Sequence, residues 1–158
     1  HRAYPDRAAF DGALDRVLAA LAPDLVVLAG FMRVLTDPFV ERWGERMINI
    51  HPSLLPAYPG LHTHARALAD RVPVHGATVH LVVPRVDAGP TLARVTVPVL
   101  PDDDAEGLGA RVLAAEHRLL PAVVEAIARG RLTLAPPAWD GVPLPAGGLR
   151  LEAGALRP

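Results

Sequence analysis

Asn49 and His51 stand two residues apart in Met47-Ile48-Asn49-Ile50-His51-Pro52-Ser53-Leu54-Leu55-Pro56. An amide holds a developing oxyanion by N–H donation. An imidazole moves a proton near neutral pH. The apolar residues around them read as a buried strand, whose period of two puts both polar groups on one face. Pro52 has no N–H for a sheet ladder, so the strand is expected to end there. Amide and imidazole are then presented where a strand opens into a loop, the place where open α/β sheets bind ligands. The plainer alternative is a capping Asn and a packed His. Asp87, in Val86-Asp87-Ala88-Gly89-Pro90, is the better partner for His51, because a carboxylate beside an imidazole favours its charged form and orients it. The same stretch also reads as a simple turn, Asp and Gly being turn formers.

What the chain lacks narrows the chemistry further. It has no Cys, so thiolate nucleophiles, disulfides and Cys-ligated zinc are excluded. It has no Lys, which removes Schiff-base chemistry and the P-loop lysine. Its one Ser, Ser53, lies between prolines rather than in G-x-S-x-G. His62-x-His64, with His75, His80 or Asp87, invites a metal reading, but no compact motif such as H-E-x-x-H supports it. A net charge of -1 gives no footprint for nucleic acid or an anionic membrane. No apolar run approaches the roughly 20 residues of a membrane span. At 158 residues and 51% hydrophobic content, one domain with a sizeable core is expected.

The elements that must position these groups follow from pattern. Asp6 caps a helix to about Ala22, with Phe10, Leu14, Leu18 and Leu21 on its apolar face. Arg7 lies in its first turn, where a cation is mildly disfavoured and a solvated side chain is the simple expectation. Leu25 to Ala29 reads as a parallel strand covered on both faces, ended by Gly30. Met32-Arg33-Val34-Leu35 follows at its carboxyl end. A short helix fits Asp37 to Arg46, with Pro38 early, and another fits Thr63 to Asp70. Gly76 to Val83 and Thr91 to Val99 read as antiparallel strands. A long helix runs from the Asp104 region to Arg129, with Leu108, Val112, Leu119, Val123 and Ile127 buried, a kink expected at Pro121 and a stop at Gly130. Residues 133–158 are Pro- and Gly-rich and read as a small hairpin or tail with a frayed end.

Ile48 to Pro56 resembles the signature of the folate-dependent formyltransferases. Ala57-Tyr58-Pro59-Gly60-Leu61-His62-Thr63-His64 is similar to the branch of that family acting on glycinamide ribonucleotide. Gly76-Ala77-Thr78-Val79-His80 through Pro90 resembles its second signature. Together the matches run from about Arg7 to Leu132, so residues 1–132 are expected to form the catalytic domain.

The resemblance implies an α/β, Rossmann-like fold with a mainly parallel sheet and an antiparallel C-terminal part. It implies formyl transfer from 10-formyltetrahydrofolate to the amine of glycinamide ribonucleotide in the cytoplasm, without metal, nucleic-acid or membrane partners. It implies that Asn49, His51 and Asp87 are catalytic. It makes Arg7, Met32, Arg33, Val34, Leu35, Asn49, Val83, Pro84, Arg85, Val86 and Asp87 folate contacts, and Ile50, Pro52 and Glu116 contacts of the amine substrate. Leu55-Pro56 becomes a candidate cis bond.

Three departures stand out. Leu113 replaces a Gln found in some members. Pro84 stands where an acidic or larger residue is common. The family's opening strand and Gly-rich phosphate loop have no match, so the N-terminal strands are expected to be absent. Alternatives are another amine substrate, a metal-dependent hydrolase using His62, His64 and Asp87, and an inactive folate-binding fragment.

Overall fold

Asp6 opens the first helix, as its side chain accepts from the Ala9 N–H at 2.7 Å. The computed structural model describes residues 3–158. Helix α1 spans Arg7–Leu21 and ends at Ala22 in the left-handed region. Strand β1 (Val26–Leu28) and helix α2 (Asp37–Trp43) follow, and a 3₁₀ turn over Gly44–Arg46 leads into β2 (Met47–His51). Then come α3 (Thr63–Ala69), β3 (Val74–Leu81), β4 (Thr91–Pro98) and α4 (Ala105–Ala128). Five short strands close the chain: β5 (Leu132–Leu134), β6 (Pro137–Trp139), β7 (Val142–Pro143), β8 (Leu149–Glu152) and β9 (Ala155–Arg157).

The main sheet has the order β1-β2-β3-β4-β8-β9. β1–β2 and β4–β8 are parallel, whereas β2–β3, β3–β4 and β8–β9 are antiparallel. The α/β, Rossmann-like arrangement expected from the sequence is present, and its antiparallel part begins at β3. The two faces of β2 belong to different cores. Met47 packs with Leu35, Phe39, Val40 and Trp43, beside Leu14 and Leu18 of α1. Ile48 packs in the cluster that buries Leu108, Val112, Leu119 and Val123 of α4. Successive strand residues face opposite sides, so a short apolar run serves both layers.

Several expectations need correction. Leu21, expected on the buried face of α1, is 70% exposed, while the buried residue of that helix is Asp11. Its Oδ2 accepts from the Thr36 N–H at 2.6 Å, which offsets the cost of burying a carboxylate. β1 is not covered on both faces: among the described residues it pairs only with β2, and Val27 is exposed. Helix α4 continues through Pro121, the residue at which a kink is expected. It stops at Gly130, whose φ is +69°, with the Gly130 N–H on the Ile127 carbonyl and the Arg131 N–H on the Ala126 carbonyl. The chain after Leu134 is not frayed. β6 and β7 extend a small sheet from β5, and β8 adds to the main sheet with Leu149 fully buried. Leu55-Pro56 is cis, as is Ala135-Pro136.

Candidate active site

The antiparallel register of β2 and β3 sets Asn49 opposite His80 and His51 opposite Thr78. A register shift between Val79 and His80 interrupts the β3–β4 ladder at that point, with Leu92 of β4 as the extra residue. The Asn49 Nδ2 lies 3.2 Å from His80 Nε2. His51, almost fully buried, has Nε2 at 2.9 Å from the Tyr58 carbonyl oxygen and Nδ1 at 3.4 Å from Asp87 Oδ2. A carbonyl oxygen only accepts, so Nε2 of His51 carries a proton. A second proton on Nδ1 would face the carboxylate. Asp87 Oδ2 also accepts from the Gly60 N–H at 2.7 Å, and Asp87 Oδ1 lies 3.7 Å from His80 Nε2. One carboxylate thus ties the β3–β4 turn to the loop after β2 and to His51.

That loop is itself pinned. The Thr78 hydroxyl donates to the Ser53 carbonyl at 2.7 Å and accepts from the Leu55 N–H at 3.1 Å. The Ser53 hydroxyl donates to the Ala57 carbonyl at 2.6 Å. Tyr58, His62 and Asp87 all hold positive φ, a cost that surrounding contacts must offset. Gly89 allows the turn after Asp87 to close, because a Cβ there would overlap the Leu81 carbonyl.

Burial shapes the electrostatics around this set. It lowers the pKa of His80, opposed by the Leu81 carbonyl and by Asp87, so the ring favours its neutral form. Burial likewise lowers His64, helped by the nearby His51. His75 is pushed down to about 4, first by burial and then by His64. Burial raises the pKa of Glu116, with His117 acting against it.

These groups open onto a cavity of about 710 Å³. Of the sequence-predicted site residues, Met32, Arg33, Val34, Leu35, Asn49, Ile50, His51, Pro52, Val83, Pro84, Val86, Asp87 and Glu116 line it. Arg7 and Arg85 do not: both are exposed and neither belongs to the wall. The α1 helix meets the segment behind that wall one turn later, through Phe10 under the Arg33 guanidinium and through Asp11 on Thr36. Arg85 is exposed and flanked in the sequence by Pro84 and Val86, which do line the cavity.

Leu28 and Val82, which the sequence did not assign to the site, also line it, as do His64 and His80, which the sequence offers only as metal ligands. His80 had a signal, the alternation Thr78-Val79-His80, but only the register shows that it faces Asn49. The Tyr58 carbonyl and the Gly60 N–H carried no signal, since every residue has such groups. Among the described residues no group of three or more His, Cys, Asp or Glu is gathered to hold a metal ion. No helix among them is long and apolar enough to cross a membrane.

An amide N–H, an imidazole and a carboxylate at the end of a strand, facing a largely apolar cavity, can stabilise charge on a carbonyl oxygen and manage a proton. Comparison with known proteins shows the family. Residues 1–124 match the family model described as formyl transferase. The chain is 46% identical over 145 residues to phosphoribosylglycinamide formyltransferase of Escherichia coli (strain K12), covering 90% of this chain and 68% of that protein. It is 46% identical over 134 residues to the trifunctional purine biosynthetic protein adenosine-3 of Homo sapiens, covering 85% of this chain and 13% of that protein. The solved phosphoribosylglycinamide formyltransferase of Coxiella burnetii, in complex with CHES, superposes with a TM-score of 0.89 at 43% identity, over 95% of this chain and 72% of that one. The chain thus spans a small part of the trifunctional relatives and about two thirds of the single-function ones. By sequence and fold alike, the chain belongs to the formyl transferase family.

Proposed function

We propose that the protein containing this chain transfers a formyl group from 10-formyltetrahydrofolate to the amine of glycinamide ribonucleotide. The observation that carries the reading is the Asn49, His51 and Asp87 set lining the cavity, in a chain of this family. The amine lone pair attacks the formyl carbon, and negative charge gathers on the formyl oxygen. Asn49 offers an N–H to that oxygen and His51 lies beside it as the positive group. Asp87 holds His51 in place and balances its charge. The bond to the folate nitrogen then breaks, and the proton lost by the amine ends on that nitrogen. No covalent enzyme intermediate is required.

The two walls fit two different molecules. The apolar stretch from Met32 to Leu35, with Val83, Pro84 and Val86, suits a flat ring system held mainly by backbone groups. Ile50, Pro52 and Glu116, which line the same cavity, suit the amine substrate. The reading carries with it a cytoplasmic enzyme acting on small molecules, without a metal ion. The test uses the full-length protein with both substrates, following tetrahydrofolate release together with formylation of the amine. Donor hydrolysis without amine formylation, or no reaction, would overturn it.

A further inference from the structure

His80 is buried beside the three groups assigned to the chemistry, and that assignment leaves it without a part. Two facts about it resolve two ambiguities at once. Its Nδ1 lies 2.8 Å from the Leu81 carbonyl oxygen. That oxygen can only accept, so Nδ1 carries the ring proton. In the neutral ring, Nε2 is then a bare acceptor. Facing Nε2 at 3.2 Å is the side-chain amide of Asn49. An acceptor must meet a donor, so the nitrogen of that amide, not its oxygen, points to His80. This is the one hydrogen bond of the Asn49 side chain among the described residues.

We propose that His80 is a positioning residue: held in its Nδ1–H form by the Leu81 carbonyl, it accepts from Asn49 and so decides which end of the Asn49 amide faces the reacting carbonyl. The proposal rests on the formyl-transfer reading above. An amide is planar, and its N–H and C=O ends have opposite uses to an oxyanion. Bonding one N–H to His80 leaves the second N–H as a donor and sets the direction of Oδ1. A ring protonated at Nε2 would instead demand an acceptor there. Asn49 would have to turn its oxygen inward, or the ring would turn to Asp87 Oδ1, which lies 3.7 Å away. The lowered pKa of His80 works in the same direction, keeping the ring neutral around neutral pH.

The role separates from a packing role by which variants restore it and by how it combines with Asn49. His80→Phe keeps a buried ring and removes the acceptor. In the full-length protein, kcat is expected to fall about 30- to 100-fold with the folate KM changing less than about threefold, as for loss of one oriented donor. His80→Gln, whose side-chain oxygen reaches the place of Nε2, should recover at least about a third of the rate. In an Asn49→Ala background, His80→Phe should add almost nothing, because His80 acts through Asn49. Multiplying losses, or a His80→Gln rate as low as that of His80→Phe, would overturn the proposal. Nitrogen NMR of the imidazole provides a readout free of turnover: the Nδ1–H form is expected for His80, and the Nε2–H form would refute it. Failure of the formyl-transfer reading itself would appear in the unsubstituted protein, as absence of transfer, and is thereby distinct from a failure seen only in the variants.

Discussion

The two walls of the cavity are held in different ways. Around Asn49 and His51 of β2 the polar groups are tied: Asn49 to His80, His51 to the Tyr58 carbonyl and Asp87, and Asp87 to the Gly60 N–H. On the side of Met32 to Leu35 the chain is held mainly from behind, by Asp11 on the Thr36 N–H and by Phe10 under Arg33. The Arg33 Nε is buried without a partner among the described residues, and Met32 is 79% exposed. Rigid polar groups suit a wall that must meet charge as it develops. An apolar, loosely tied wall suits binding by contact area. Changes on the first wall should therefore reach kcat, and changes on the second should reach KM.

Asp87→Asn gives the sharpest contrast. It keeps the shape but removes the negative charge facing Nδ1 of His51. A kcat loss of about 10²-fold or more is expected in steady-state formyl transfer, comparable with losing an oxyanion donor. His51→Ala combined with it should cost little more than the worse single change, because the two act as one unit. Losses that multiply would break the picture of a single tied wall.

Acid should loosen the tied wall before it touches the other. His75 is buried edge-on to Tyr58, and its folded pKa of about 4 lies below the unfolded value of about 6.5. The unfolded chain therefore binds the extra proton first. Stability is fully present above about pH 6.5 and is lost as pH falls towards 4, with about 3 kcal/mol at stake for this group. Denaturant titrations at pH 7 and pH 4.5 read the difference, and His75→Phe should reduce it. An unchanged pH slope in that variant would show that His75 does not carry the effect.

Asp11→Ala probes the support behind the other wall. It strands the Thr36 N–H and should cost about 1–3 kcal/mol of stability. A several-fold rise in folate KM with kcat nearly kept is expected, and a loss confined to kcat would erase the distinction between the walls. Met32→Ala is the mildest change. Its side chain is mostly in solvent, so the unfolding midpoint should stay put while KM rises by about threefold or less. A drop in stability there would mean that this wall is packed after all.

Much of this arrangement is legible in the order of residues, where neighbours in the chain settle the outcome. The Asp6 cap, the Gly130 stop and the buried stripe of α4 follow from local capping and a period of 3.6. The shared face of Asn49 and His51 follows from a period of two, and the stretch from Met32 to Leu35 lies at a strand's carboxyl end, as the pattern implies. Family signatures pointed to formyl transfer for the same reason, since they are themselves local strings.

The rest was decided by distant parts of the chain meeting. Asn49 faces His80 because β3 runs antiparallel to β2 in one register, and a slip by one residue would turn His80 to the other face. The exposure of Leu21, the burial of Asp11 and the placing of β8 beside β4 depend on what lies across from each of them. Arg7 and Arg85 stay outside the cavity wall for the same reason. The groups that hold His51 and Asp87, a carbonyl at Tyr58 and an N–H at Gly60, have no letter of their own: every residue carries a backbone, and only the folded path selects which of its polar atoms reach the site.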